Sequence, residues 1–260
     1  MNLRETTRDR YRVSQVEQLT GFQVEVIEDR SLQTTAVVHM ASRRTVPAHI
    51  VRTNPATGQP PDYLICFQCG FILRLFANPP AERVECGFTA AGYEEVRKLV
   101  QAHLGSPGAD QATINRAAER FLTATVVHLR SVPVGLRVSQ WLAQEYPELL
   151  PLQRSQVLNE LKLNSESFSP QAVAAMPPLI LDAVLSINAA FALHWSQQLK
   201  KPSIMQPYVQ AGYRPKAGEL LDIYHQTPAD PAHDRTLVDG WAEALSLSGL
   251  YQWIPYQPPA

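Results

Sequence analysis

Apolar side chains recur along this chain first at helical spacing, then in short β-rich runs, then almost without interruption. Val13, Val16 and Leu19 lie on one helical face and Gly21 follows them, so residues 11–21 read as a helix. Three β-rich runs come next, at 22–27, 35–40 and 49–52, separated by polar turns. The pattern then saturates: between Leu64 and Phe76 only Gln68 and Arg74 carry strongly polar side chains. A helix apolar nearly all round is buried on several sides, which makes this a core helix. Pro60 and Pro61 set its start, Asp62 places negative charge in its first turn, and Pro79-Pro80 stops it.

Beyond residue 90 the reading is almost wholly helical. Residues 90–104 put Tyr93, Val96, Leu99 and Val100 on one side, and Gly105-Ser106-Pro107-Gly108 is the best linker in the chain. Residues 110–129 carry Ile114, Ala118, Phe121, Leu122 and Thr125 on an apolar stripe. Further helices are expected at 137–146, 149–163, 178–200, 204–211, 215–225 and 234–247, with Gly249 closing the last. The aromatic tail at 250–256 is expected to dock onto the body. The expectation is an α+β protein: a small sheet of about three strands packed on the buried helix, then a mainly α-helical domain. The boundary is placed near 131–133, giving domains 1–132 and 133–260. No repeat of fixed period stands out.

Length and composition bound the partners. A chain of 260 residues has ample core, and 45% hydrophobic with 18% charged residues describes a soluble globular protein. A formal net charge of −1 removes the usual electrostatic drive toward nucleic acid. Arg4, Arg8, Arg10 and Arg12 form a local basic stretch, read as a solvated face. Three cysteines at irregular spacing do not make a disulfide framework, and the polar N-terminus does not read as a secretory signal. The longest apolar run, 177–195, is broken by Asp182, Ser186 and Asn188 and reads as a core helix. The expected location is cytoplasmic.

The order helix, three strands, core helix, with a strand ending in Ile50-Val51-Arg52-Thr53-Asn54-Pro55, resembles the N-terminal half of ImmA/IrrE-like zinc metallopeptidases. In that family the core helix carries His-Glu-x-x-His, often as His-Glu-Leu-Gly-His. Here Phe67-Gln68-Cys69-Gly70-Phe71 stands in its place and only the glycine remains. A zinc peptidase of this kind needs two imidazoles at i and i+4 and a carboxylate as general base. Phe67 and Phe71 keep the spacing but offer no lone pair, and the amide of Gln68 is no base at neutral pH. A weaker match at Asn115-Arg116-Ala117-Ala118-Glu119-Arg120-Phe121 resembles the downstream helix that supplies the third ligand. On that match the ligand position is Asn115, also unsuited to zinc.

Cys66 and Cys69 form a CxxC and are the rival chemistry, as a redox or metal-binding sensor or enzyme. At about 100° per residue they point within about 60° of each other and about 150° away from Phe67 and Phe71, so they cannot replace the lost ligands in one cleft. Buried structural thiols are the favoured reading. Asn188 and His194 read as satisfied core polar groups. His225, Asp230, His233 and Asp234 sit in a Pro-rich loop with no common zinc spacing. The resemblance therefore implies a degenerate, zincin-like pseudo-peptidase with no catalytic residue, metal or cofactor. It would act by binding a partner protein as a regulatory or assembly subunit in a stress or mobile-element setting. A structural subunit of a larger complex is the remaining alternative.

Overall fold

A computed structural model describes residues 13–32, 34–44, 46–58, 60–104 and 110–259. The basic N-terminal stretch, the first turn expected at residues 11 and 12, and the linker 105–108 lie outside the described residues. The chain divides into two compact units, each built from separated stretches: 1–85 with 135–156 and 255–260, and 86–134 with 157–254.

In the first unit, α1 (Val13–Thr20) leads into strands β1 (Val24–Glu28), β2 (Ala36–His39) and β3 (His49–Thr53). The sheet order is β1-β3-β2, so the last strand is central. β1 runs parallel to β3 from Val24↔His49 to Glu28↔Thr53, and β2 runs antiparallel to it from Ala36↔Thr53 to His39↔Ile50. Along β3 the residues alternate: His49, Val51 and Thr53 are buried, Ile50 and Arg52 half-buried. That alternation marks one covered face. The expected core helix is α2 (Pro61–Ala77), which packs on α1, β2 and β3. Val13, Val16, Val24, Val51, Leu64, Ile65 and Ile72 form the core with it, and each fully buried aliphatic side chain contributes about 1.5–3 kcal/mol.

Two local devices fix the ends of α2. Asn54, after β3, accepts from the Ala56 amide at 2.9 Å and donates to the Leu32 carbonyl at 2.8 Å, locking the turn that aims the chain into the helix. At the other end Arg83 donates to the Asn78 carbonyl at 2.9 Å and the Phe76 carbonyl at 3.1 Å, and its guanidinium lies 4.5 Å from the Phe76 ring centre. A cation on the last carbonyls satisfies unpaired acceptors and suits the helix dipole.

The second unit is helical. It holds α3 (Ala90–Leu104), the first part of α4 (Gln111–Glu145), most of α5 (Leu150–Ser165), then α6 (Pro170–Ala175), α7 (Pro178–Gln198), α8 (Gln206–Gln210), α9 (Arg214–Gln226) and α10 (Asp234–Ala244). α7 is long and apolar enough to cross a membrane; here 78% of its most apolar window is buried, and it packs against α9. Most of a two-stranded pair, β4 (Val84–Phe88) with β5 (Tyr251–Pro255), also belongs to this unit.

Several elements differ from expectation. The helices read at 110–129 and 137–146 are one helix, α4, with Pro133 inside it. The proline removes one backbone bond at a cost of about 3 kcal/mol. Leu129, Val132, Val134, Leu136 and Val138 around it are all buried, and at about 1.5–3 kcal/mol each they outweigh that cost. The boundary read near 131–133 thus falls within α4, where the helix passes from one unit to the other. The aromatic tail is a strand, its partner β4 and the short α6 were not anticipated, and the last helix ends at Ala244, before Gly249.

Candidate functional site

The family resemblance singles out Phe67, Gln68 and Phe71, all on α2 in the first unit. Residues four apart share a helix face, and Tyr63, Phe67 and Phe71 accordingly form one aromatic stripe. Tyr63 and Phe67 stack with ring centres 5.8 Å apart, and Phe67 meets Phe71 edge-on at 5.3 Å. The second half of α4 lies across that stripe. A Cβ on Gly135 would stand 3.1 Å from Phe67 Cζ, so that ring would have to give way slightly, and 3.6 Å from Phe71 Cζ, an ordinary contact. The exchange is mutual: on α2, Gly70 receives Val138 of α4, whose Cγ1 would overlap any Cβ at position 70. Tyr63 Oη and Ser139 Oγ, 3.3 Å apart, close the same seam with a hydrogen bond. Phe71 and Gln68 are buried and Phe67 is half-buried.

The seam offers a metal neither imidazole nor carboxylate at positions 67, 68 and 71. What it offers is dispersion contact and edge-to-face aromatic geometry, worth about 0.5–1.5 kcal/mol per ring pair beyond area burial. Asn115, the position matched to a third ligand, belongs to the second unit, near the start of α4, where its Oδ1 accepts from Gln111 Nε2 at 3.0 Å. Gly135 is the α4 glycine that lies beside the two rings.

The thiols are held differently. Cys66 and Cys69 are free, buried, and part of the core cluster that includes Val13 and Val16. Burial pushes the Cys66 thiol up to about 12, with the Cys69 thiol, Asp62 and Glu148 adding repulsion. Burial also pushes Cys69 to about 12, with Glu17 adding to it. Neither is a thiolate near neutral pH, and a thiol is a poor nucleophile and ligand. Cys86 lies on β4 in the second unit, half-buried, with its thiol raised to about 11 mainly by burial. Among the described residues no group of three or more His, Cys, Asp and Glu side chains stands together as a metal cage. In the loop read as a weak metal candidate, Asp230 accepts from the Ala232 amide at 2.9 Å as a turn cap.

A second candidate was not visible in the sequence. Within the second unit a cavity of about 770 Å³ is bounded by α4, α5, α6 and α7. Arg116 and Arg120 of α4 line it, as do His128, Asn164, Ser167 and Asn188. Asn188 Nδ2 donates to Ser167 Oγ at 3.4 Å, which leaves its Oδ1 to accept from His128 Nε2 at 2.8 Å. Burial lowers the pKa of His128, against the opposing hydrogen bond to Asn188, so the imidazole is neutral at pH 7. Asn188 is thus hydrogen-bonded inside the helical unit, as its place on an apolar helix implied. The pair Arg116 and Arg120, four apart on a helix with an apolar stripe, is the one signal that could have drawn attention to this hollow. No family model matches the chain, and no curated protein or solved structure matches it.

Proposed function

We propose that this chain is a non-catalytic, ImmA/IrrE-like protein that works by binding a partner protein, as a regulatory or assembly subunit. The observation that carries the reading is the α2–α4 seam. The positions that resemble a zinc-binding motif are occupied by two rings seated on Gly135, so they hold helices together. The strand-to-helix passage through Asn54-Pro55 and the packing of α2 on β2 and β3 support the zincin-like ancestry. Support for a protein partner comes from β1. It is an edge strand, among the described residues it pairs with β3 alone, and Val26 and Ile27 on it are 44% and 39% exposed. An uncovered strand edge with apolar side chains favours pairing with another chain.

The test is crosslinking capture from host lysate by the wild-type chain and by a Val26→Lys/Ile27→Lys variant. Both positions are substantially exposed, so the variant should keep its stability to within about 0.5 kcal/mol. The reading expects a stoichiometric partner with wild type that the variant loses. Equal recovery by both chains, or peptide-bond cleavage of the captured protein, contradicts it.

A further inference from the structure

The cavity of the second unit has the size of a small-molecule site, about 770 Å³, within the range of about 300–1,000 Å³ usual for such pockets. Its walls divide by chemistry. Leu104, Phe121, Ala124, Ala175, Met176 and Val184 give it an apolar lining. Arg116 and Arg120 bring two guanidiniums from successive turns of α4, and no carboxylate is among the lining residues. Arg116 is steadied by Thr113 Oγ1 at 3.3 Å. Asn164 adds an amide nitrogen that is shut off from solvent and has no hydrogen-bond partner among the described residues. A buried donor left unmade costs about 1–3 kcal/mol, which a ligand acceptor would recover. The His128–Asn188–Ser167 chain satisfies itself in part and leaves the Ser167 hydroxyl hydrogen free to turn toward the cavity. Two guanidiniums and the unpartnered Asn164 amide nitrogen are thus set among apolar walls, and Asp110, outside the lining, is the carboxylate that interacts with Arg116.

We propose that this cavity binds a small amphiphilic anion: an apolar body against Phe121, Met176 and Val184, and a carboxylate or phosphate head held by Arg116 and Arg120. Asn164 donates to an acceptor on the same molecule. A neutral lipid would leave two arginines facing an uncharged ligand, whereas a singly or doubly charged head makes charge-assisted, bidentate contacts. The site makes the chain a ligand-responsive binder, which the reading of the seam alone does not require.

The experiment is titration of the full chain with decanoate, decyl phosphate and 1-decanol, read by calorimetry and by the shift in unfolding midpoint. Saturable binding of at least one anion is expected, about tenfold or more tighter than 1-decanol, and the tighter of the two heads names the ligand class. Arg116→Ala/Arg120→Ala should weaken the anion about tenfold while leaving 1-decanol unchanged. Ala124→Trp, at an exposed lining position, should weaken all three. Circular dichroism and the midpoint without ligand confirm that each variant is folded, and Arg120→Lys serves as a milder variant if the double substitution is not. Equal affinity for decanoate and 1-decanol overturns the proposal. So does anion binding that survives loss of both arginines, or no saturable binding of either anion up to about 1 mM.

Discussion

Gly70 of α2 lies flush against Val138 of α4, close enough that a Cβ at position 70 would overlap Val138 Cγ1. Its role in Phe67-Gln68-Cys69-Gly70-Phe71 is to let two helices meet. Gly70→Ala is therefore expected to destabilise. Overpacking costs about 1–3 kcal/mol, and the better helix propensity of alanine returns only up to about 1 kcal/mol. Adding Val138→Ala should relieve the clash, so the double variant loses less than the sum of the two singles. Urea unfolding measures all three, and simple additivity would mean that the two side chains do not meet.

His49 on the central strand is fully buried, its Nδ1 accepting from the Ala41 amide at 3.0 Å and its ring between Phe22 and Phe76. Burial lowers its pKa from 6.5 to about 4. The unfolded chain therefore binds more protons as pH falls. The stabilisation is fully present above about pH 6.5 and is lost on the way down through pH 4, amounting to about 3 kcal/mol. His39 and His128, both lowered by burial, act in the same direction. Denaturation curves from pH 7 to 4 should show this loss, with a shallower slope in His49→Gln. A flat profile in wild type would contradict it.

Cys66 and Cys69 are expected to be silent toward thiol reagents. With both thiols near 12, the thiolate fraction at pH 8 is about one in ten thousand, before steric shielding slows attack further. Labelling should follow global unfolding and rise with denaturant, while mild oxidant leaves both thiols free. A rapid, reversible Cys66–Cys69 disulfide in the native chain would revive the redox reading.

In the second unit the tail strand is tied down by one carboxylate: Tyr251 Oη and Trp253 Nε1 both donate to Asp239 Oδ1, at 2.6 and 2.7 Å. Asp239→Ala should cost about 1–3 kcal/mol, since hydrogen bonds to a charged acceptor are the stronger kind and the indole loses its partner. Trp253 fluorescence should shift with the substitution. An unchanged spectrum and stability would show that β5 is held by its backbone pairing alone.

Much of the first unit could be read from the chain because its signals were local. The β-rich composition of β3, the prolines at the start of α2 and the nearly unbroken apolar run to Phe76 each act within a few residues. The sequence misled where tertiary packing outweighed local preference. The boundary read near 131–133 falls at Pro133, yet the burial of Leu129, Val132, Val134 and Leu136 carries α4 through it. β4 was missed because its partner, β5, lies more than 150 residues away and nothing local announces the pairing. The cavity is hidden for a similar reason: Arg116 and Asn164 line one hollow from helices far apart in the chain.

The most direct test of the account is the metal content of the chain purified without chelator, measured by plasma mass spectrometry alongside unfolding with and without EDTA. Rings at positions 67 and 71 and an amide at 68 predict zinc far below one per chain and an unfolding midpoint indifferent to EDTA. One zinc per chain, with a midpoint that drops when it is removed and a loss of metal on substitution of Gln68, would contradict it.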